Sequence, residues 1–248
     1  MLFIVIGIIL LFAVIFSMLG LGGSMLYIPV LKWFGYNFKT VAIPTGLLLN
    51  GVTALSAAIY FLRAKMVDVK GAIPLIVTSF IGAPLGAVLT KHVPTRILLI
   101  LFVIGMVFAA ARMLLISGQQ EPQTMMPVRK RMILTGAAGL GIGVIAGMLG
   151  LGGGFLVVPM LIALGYPTKK AAATSAFVVV FSSFSGFAGH VAEGHFEPGL
   201  MIGCLIAVVI GSRLGAQLMN EKMKPRLIKQ MFGGVLLLVA IKMTIGLL

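Results

Sequence analysis

One stretch of this chain is written twice. Residues 18–36 read MLGLGGSMLYIPVLKWFGY and residues 148–166 read MLGLGGGFLVVPMLIALGY. At an offset of 130, eleven of the nineteen positions are identical, among them Gly20/Gly150, Gly22/Gly152, Gly23/Gly153, Pro29/Pro159 and Tyr36/Tyr166. A duplication of this kind limits the architecture before any other feature is read. Each copy is a glycine cluster inside a long apolar run, with a proline behind it. In a bilayer that pattern marks a broken helix. Non-helical backbone is tolerated at membrane depth only where protein covers it or a solute cavity receives it.

The bilayer itself follows from the apolar content. Of 248 residues, 60% are hydrophobic and 10% charged, with mean hydropathy +1.17. A soluble domain of this length cannot hide so much apolar side chain. The fold class is therefore an all-α polytopic membrane protein. Residues 1–16 carry no basic segment, so a cleaved signal peptide is not expected. The single cysteine, Cys204, excludes an intramolecular disulfide and reads as a packing residue. Net charge is +14, but the bases are scattered through short loops without interleaved aromatics. Nucleic acid is thus no expected partner. Membrane lipid headgroups are the plain partner for these charges, and attraction of an anionic solute is the sharper reading.

Eight stretches are apolar and long enough to cross, at about 2–34, 41–62, 71–90, 95–117, 132–165, 171–192, 198–219 and 227–247. The first and fifth are too long for one straight helix and hold the glycine clusters. The duplication continues beyond them: Lys39 falls on Lys169, and residues 81–87 fall on 210–216 at an offset of 129. The chain divides into a first four-span repeat (1–117), a linker (118–131) and a second four-span repeat (132–248). Four is even, so the expected symmetry is a pseudo-twofold along the membrane normal. If one apolar segment is only re-entrant, the count becomes odd and the repeat inverted. Grouping the loops by an even count puts ten Lys/Arg on one side and eight on the other. This weak bias leans towards both termini outside the cytoplasm.

The candidate site is built on the breaks. A helix restarting near Ser24 or Phe155, after Gly22-Gly23 or Gly152-Gly153-Gly154, exposes free N–H groups and a positive dipole end, which bind anions. Close packing of small residues is the alternative use of these glycines. Thr45 and Ser175 are equivalent in the repeat and stand just beyond the breaks, and Asn50 is the one amide in the following span. Arg213 interrupts the seventh stretch. It either faces the bundle and helps to hold an anion, or snorkels to the interface.

Other chemistries find little support. Asp68, Glu121, Glu193, Glu197 and Glu221 all fall at span ends or in loops, so no mid-membrane carboxylate relay or sodium cage is expected. His190 and His195 with Glu193 and Glu197 are a weak metal constellation, and neither metal nor cofactor is expected. Two mid-membrane aspartates for an intramembrane protease are absent, and Ser185 with His190 lacks an oxyanion motif. The glycine spacings in 139–154 lack the βαβ unit that a dinucleotide fingerprint needs. The chain does not read as an enzyme.

The doubled glycine cluster with its proline, Thr45 and Ser175 behind the breaks, and the four-plus-four duplication resemble the TauE/SafE family of sulfite and sulfonate permeases. The resemblance covers nearly the whole chain. It implies transport of sulfite or a related organosulfonate, such as sulfoacetate or sulfolactate, across a bacterial inner membrane. Ser24 stands where the second copy has Gly154, and Pro44 stands opposite Thr174, so the resemblance leaves open whether both copies bind solute. The expected function is a secondary transporter for a small anion, as a multi-pass membrane protein with a homo-oligomer left open. The alternatives are a non-transporting anchor or assembly protein, which needs no broken helices, and a cation transporter, which the carboxylate shortage disfavours.

Overall fold

The computed structural model describes residues 2–115, 117–118 and 124–245. Most of the linker, Gln119 to Gln123, lies outside them. Among the described residues ten α-helices follow one another: α1 (Leu2–Met18), α2 (Ser24–Trp33), α3 (Ile43–Arg63), α4 (Val69–His92), α5 (Thr95–Leu115), α6 (Val128–Leu149), α7 (Gly154–Ala163), α8 (Thr168–His190), α9 (Pro198–Lys222) and α10 (Pro225–Ile245). A short π-helical turn, Phe38–Ala42, leads into α3 and is capped by the Asn37 side chain, which accepts from the N–H groups of Lys39 and Thr40. Among the described residues seven helices are long and apolar enough to cross a membrane, and α1 follows with 17 residues. The protein is an all-helical polytopic membrane protein. Its two ten-residue half-helices, α2 and α7, start at the glycine breaks.

The two halves interlock, and glycine makes the closest contacts possible. A Cβ on Gly211 would meet Leu10 and Ala13, and one on Gly203 or Gly215 would meet Ile6, or Val14 and Ser17. So α1 lies along α9 and runs in the same direction. The equivalent pair repeats this: Gly139, Gly143 and Gly147 on α6 face Leu75, Ser79 and Ala83 on α4, again parallel. A four-residue spacing of small residues lets two helix backbones touch. The matching segments 81–87 and 210–216 therefore carry packing glycines.

Helices α3 and α8 meet at the centre, and they run antiparallel. Leu47 lies near Gly186, Asn50 bonds Ser183, and Ala54 and Ala58 pack with Val179 and Val180. As one number rises the other falls. Because α3 and α8 are equivalents in the repeat, the pseudo-twofold lies across them, in the membrane plane, and the repeat is inverted. This corrects the expected axis along the membrane normal. The cause is the glycine break: α7 folds back beside α6, with Gly153 against Ile142 and Ala146. The first break does the same, since α2 descends antiparallel to α3, with Gly23 at Asn50 and Ile28 at Gly46. Each broken stretch is thus a helix and a re-entrant return.

The new direction re-sorts the charges. The side holding the end of α3 also holds the starts of α4, α6, α8 and α10 and carries thirteen Lys/Arg. The other side carries Lys32, Lys39, Lys91, Arg96 and Lys242. The described chain ends lie together on the poorer side. Ile6 packs near the start of α9, and Lys242 sits 4.0 Å above the ring of Trp33.

Candidate functional site at the half-helix starts

The loops that return from α1 and α6 meet where α3 and α8 cross. A Cβ on Gly154 would stand 2.8 Å from the Leu21 backbone. Gly22 and Gly152 lie on either side of the Asn50 carboxamide, with φ of +89° and +64°, and a Cβ on either would collide with it. Both the left-handed backbone and the close approach require glycine.

Asn50 is fully buried and ties the two halves together. Its Oδ1 accepts from the N–H groups of Gly23 (2.5 Å) and Ser24 (2.8 Å), capping the start of α2. Its Nδ2 donates to Ser183 Oγ at 2.7 Å. Ser182 donates to the Gly152 carbonyl at 2.6 Å, so α8 holds the second loop. The repeat places Val180 opposite Asn50, and a valine cannot cap. Accordingly, among the described residues, the N–H groups of Gly153, Gly154 and Phe155 at the start of α7 have no acceptor.

Two hydroxyls here are unused. Ser24 Oγ and Ser175 Oγ are buried without a hydrogen-bond partner. Ser175 stands one turn beyond Ala172, whose backbone meets Gly20. Thr45 is buried in the first turn of α3. Gly22, Gly23, Ser24, Asn50, Gly152, Gly153 and Gly154 are brought together at the crossing. Arg213 is not: it is exposed and lines an outer groove with Arg63. Ser182, Ser183 and the Tyr27–Thr53 hydroxyl pair (3.1 Å) are contacts that spacing alone did not single out.

A second polar cluster closes the lysine-rich end. Asp68 caps α4 through the Gly71 N–H (3.1 Å) and accepts from the Tyr166 hydroxyl (2.8 Å). It also pairs with Arg131 at 3.2 Å, and that guanidinium lies 4.9 Å from the centre of the Tyr166 ring. Burial alone would raise the Asp68 carboxyl. The Gly71 N–H, Tyr166, Arg131 and Lys170 outweigh burial and hold it below the usual carboxylate range. Burial first, then Asp68, pushes the Tyr166 hydroxyl up. The same motif recurs at the other end as Tyr36 and Glu197, looser at 3.5 Å and exposed. The repeat signalled both tyrosines. The carboxylates also correspond, at an offset of 129.

Known proteins place this arrangement in a family. The profile of the "Sulfite exporter TauE/SafE" family matches residues 5–243. The chain belongs to the TauE/SafE family. Its relatives include the "Probable membrane transporter protein YunE" of Bacillus subtilis (strain 168), 28% identical over 90% of this chain and 90% of the relative. YdhB of the same organism, also a "Probable membrane transporter protein", is 27% identical over 85% and 87%. The "Probable membrane transporter protein MJ0441" of Methanocaldococcus jannaschii is 23% identical over 89% and 86%. No solved structure matches. This TauE/SafE chain is thus a multi-pass membrane protein of a transporter family, with two half-helices starting at a buried, uncharged point near its centre.

Proposed function

We propose that this protein is a secondary transporter that moves sulfite or a small organosulfonate across the cytoplasmic membrane. The anion binds where α2 and α7 begin. One observation carries the reading: two half-helices start at a shared buried point, one N-terminus is capped by Asn50, and the other is open. Free N–H groups at a helix start favour an oxyanion. The open end lies beside the Asn50 amide, and Ser24 and Ser175 each carry a buried hydroxyl without a partner. Attraction comes from dipoles alone, which suits a solute that must also leave. Such an end repels a cation, and an anchor has no use for re-entrant loops. The positive-inside rule puts the lysine-rich side in the cytoplasm.

Flux of radiolabelled sulfite, sulfoacetate and sulfate in proteoliposomes tests this reading. Sulfite or a sulfonate should move faster than in empty liposomes and should compete with one another. Equal flux with and without protein for all three would overturn it.

A further inference from the structure

The duplication supplies an internal control for a groove that only one half has. In the second half, α8 lies tight on α4. Gly186 faces Ala83, and Gly189 faces Pro84 and Ala87, with a Cβ on Gly189 only 2.7 Å from that of Ala87. In the first half the equivalents of these glycines are Ser56 and Ile59. Their side chains keep α3 and α9 apart, and a groove of about 350 Å³ opens between them. Its walls are Val52, Leu55, Ile59 and Val209, and Leu55 and Ile59 are themselves exposed towards the bilayer.

Two arginines line the same groove. Arg63 ends α3, and Arg213 stands on α9. Among the described residues neither has an acidic partner. Their equivalents in the other half are Glu193 and Pro84, so nothing in the shared frame requires the pair. An unpaired arginine on a lipid-facing wall is costly unless an anion meets it. The groove opens on the lysine-rich side, where anionic lipid is concentrated if that side is cytoplasmic.

We infer that this groove binds one anionic phospholipid, with an acyl chain along Val52, Leu55, Ile59 and Val209 and the phosphate on Arg63 and Arg213. A diester phosphate suits planar guanidinium forks. The site is separate from the point where α2 and α7 begin, so it does not depend on the proposed solute.

The test uses the full-length protein purified in detergent. Native mass spectrometry and thermal unfolding are followed while phosphatidylglycerol, phosphatidylcholine or inorganic phosphate is added. Phosphatidylglycerol should bind and stabilise the wild type, and phosphatidylcholine should do so far less. The Arg63→Gln/Arg213→Gln double variant should bind phosphatidylglycerol roughly thirtyfold more weakly, at about 1 kcal/mol for each basic residue. Arg129→Gln, on an exposed helix start of the same side, should bind as the wild type does. Ser56→Gly/Ile59→Gly should lose lipid while keeping both charges, because the helices can then close. Equal binding of phosphatidylglycerol by the wild type and the double arginine variant would overturn the proposal. So would stabilisation by inorganic phosphate that matches the lipid, because the arginines would then hold a free oxyanion.

Discussion

Lys39 and Lys169 make the same bond at opposite ends of the molecule. Lys39 Nζ donates to the Val93 carbonyl at 2.8 Å, and Lys169 Nζ donates to the Asn220 carbonyl at 2.9 Å. Each pins the start of one central helix to the end of the third long helix of its own half: Val93 follows α4, and Asn220 lies in the last turn of α9. An inverted repeat alone puts these equal contacts on different sides of the membrane. Cysteines can report this in a Cys204→Ser background. Asn37→Cys and Lys224→Cys are expected to react with a membrane-impermeant maleimide from opposite sides. Reaction of both from one side would restore an axis along the membrane normal.

Asn50 has separable duties. Asn50→Asp keeps an oxygen for the N–H groups of Gly23 and Ser24 but loses the N–H that donates to Ser183 and adds negative charge. The variant should fold, and flux should fall at least about tenfold because the anion is repelled. Asn50→Leu leaves two N–H groups and a serine unsatisfied, and stability should drop by roughly 2–3 kcal/mol. Flux and thermal unfolding measured side by side distinguish the two. Normal flux in Asn50→Asp would remove the solute from this position.

Gly153 tests the open helix end. Its φ is +84°, and an added Cβ lies 3.1 Å from Ile142 Cγ2 and 3.3 Å from Ala146 Cβ. Gly153→Ala costs about 1–2 kcal/mol in backbone strain and tilts the free N–H groups. Transport should fall severalfold in protein that remains monodisperse by size exclusion. Gly7→Val is the control, since a Cβ there meets open space, and it should transport as the wild type does. Gly23 is the poorer probe, because a Cβ there collides with the ring of Tyr27.

Asp68 predicts an acid limb. Its carboxyl is depressed in the folded state, so its contribution is present above the unfolded value, near 4, and is lost as pH falls through the lower folded value. Asp68→Asn removes that limb. It also leaves Arg131, whose side chain is 8% exposed, without its counter-charge. A loss of roughly 2–3 kcal/mol at neutral pH is expected, below the range for fully buried pairs because Asp68 keeps some solvent contact. Thermal unfolding from pH 7 to pH 3 is the measurement. An unchanged pH profile in the variant would show that Asp68 contributes nothing to the limb.

The sequence revealed the duplication, the spans and the breaks, because hydrophobic runs and glycine clusters are local signals. It did not reveal the direction of α2 and α7. A glycine cluster permits a straight continuation or a return, and only the contacts of Gly153 with Ile142 and of Ile28 with Gly46 distinguish them. That one ambiguity turned an even count into an odd one and reversed the symmetry. Ser182 and Ser183 are among several small hydroxyls that the sequence offers on this span, and it does not rank them above the rest for a related reason. Serines inside a helix usually bond their own backbone, and their role at the crossing appears only when α8 is laid across α3. Arg213 reads equally well as interior or snorkelled in sequence, and its exposure depends on the helix rotation that Gly211 and Gly215 impose.

The pairing of Tyr166 with Asp68 and the looser pairing of Tyr36 with Glu197 have a meaning for balance. A molecule with two identical inverted halves would look the same after being turned over, and would have no reason to prefer facing one compartment. Any preference in this chain must therefore come from its mismatches. Arg131 strengthens the clasp at one end, while its counterpart position is residue 1, a methionine. Asn50 faces Val180 in the same way. These few unequal places weight a near-even pair of scales.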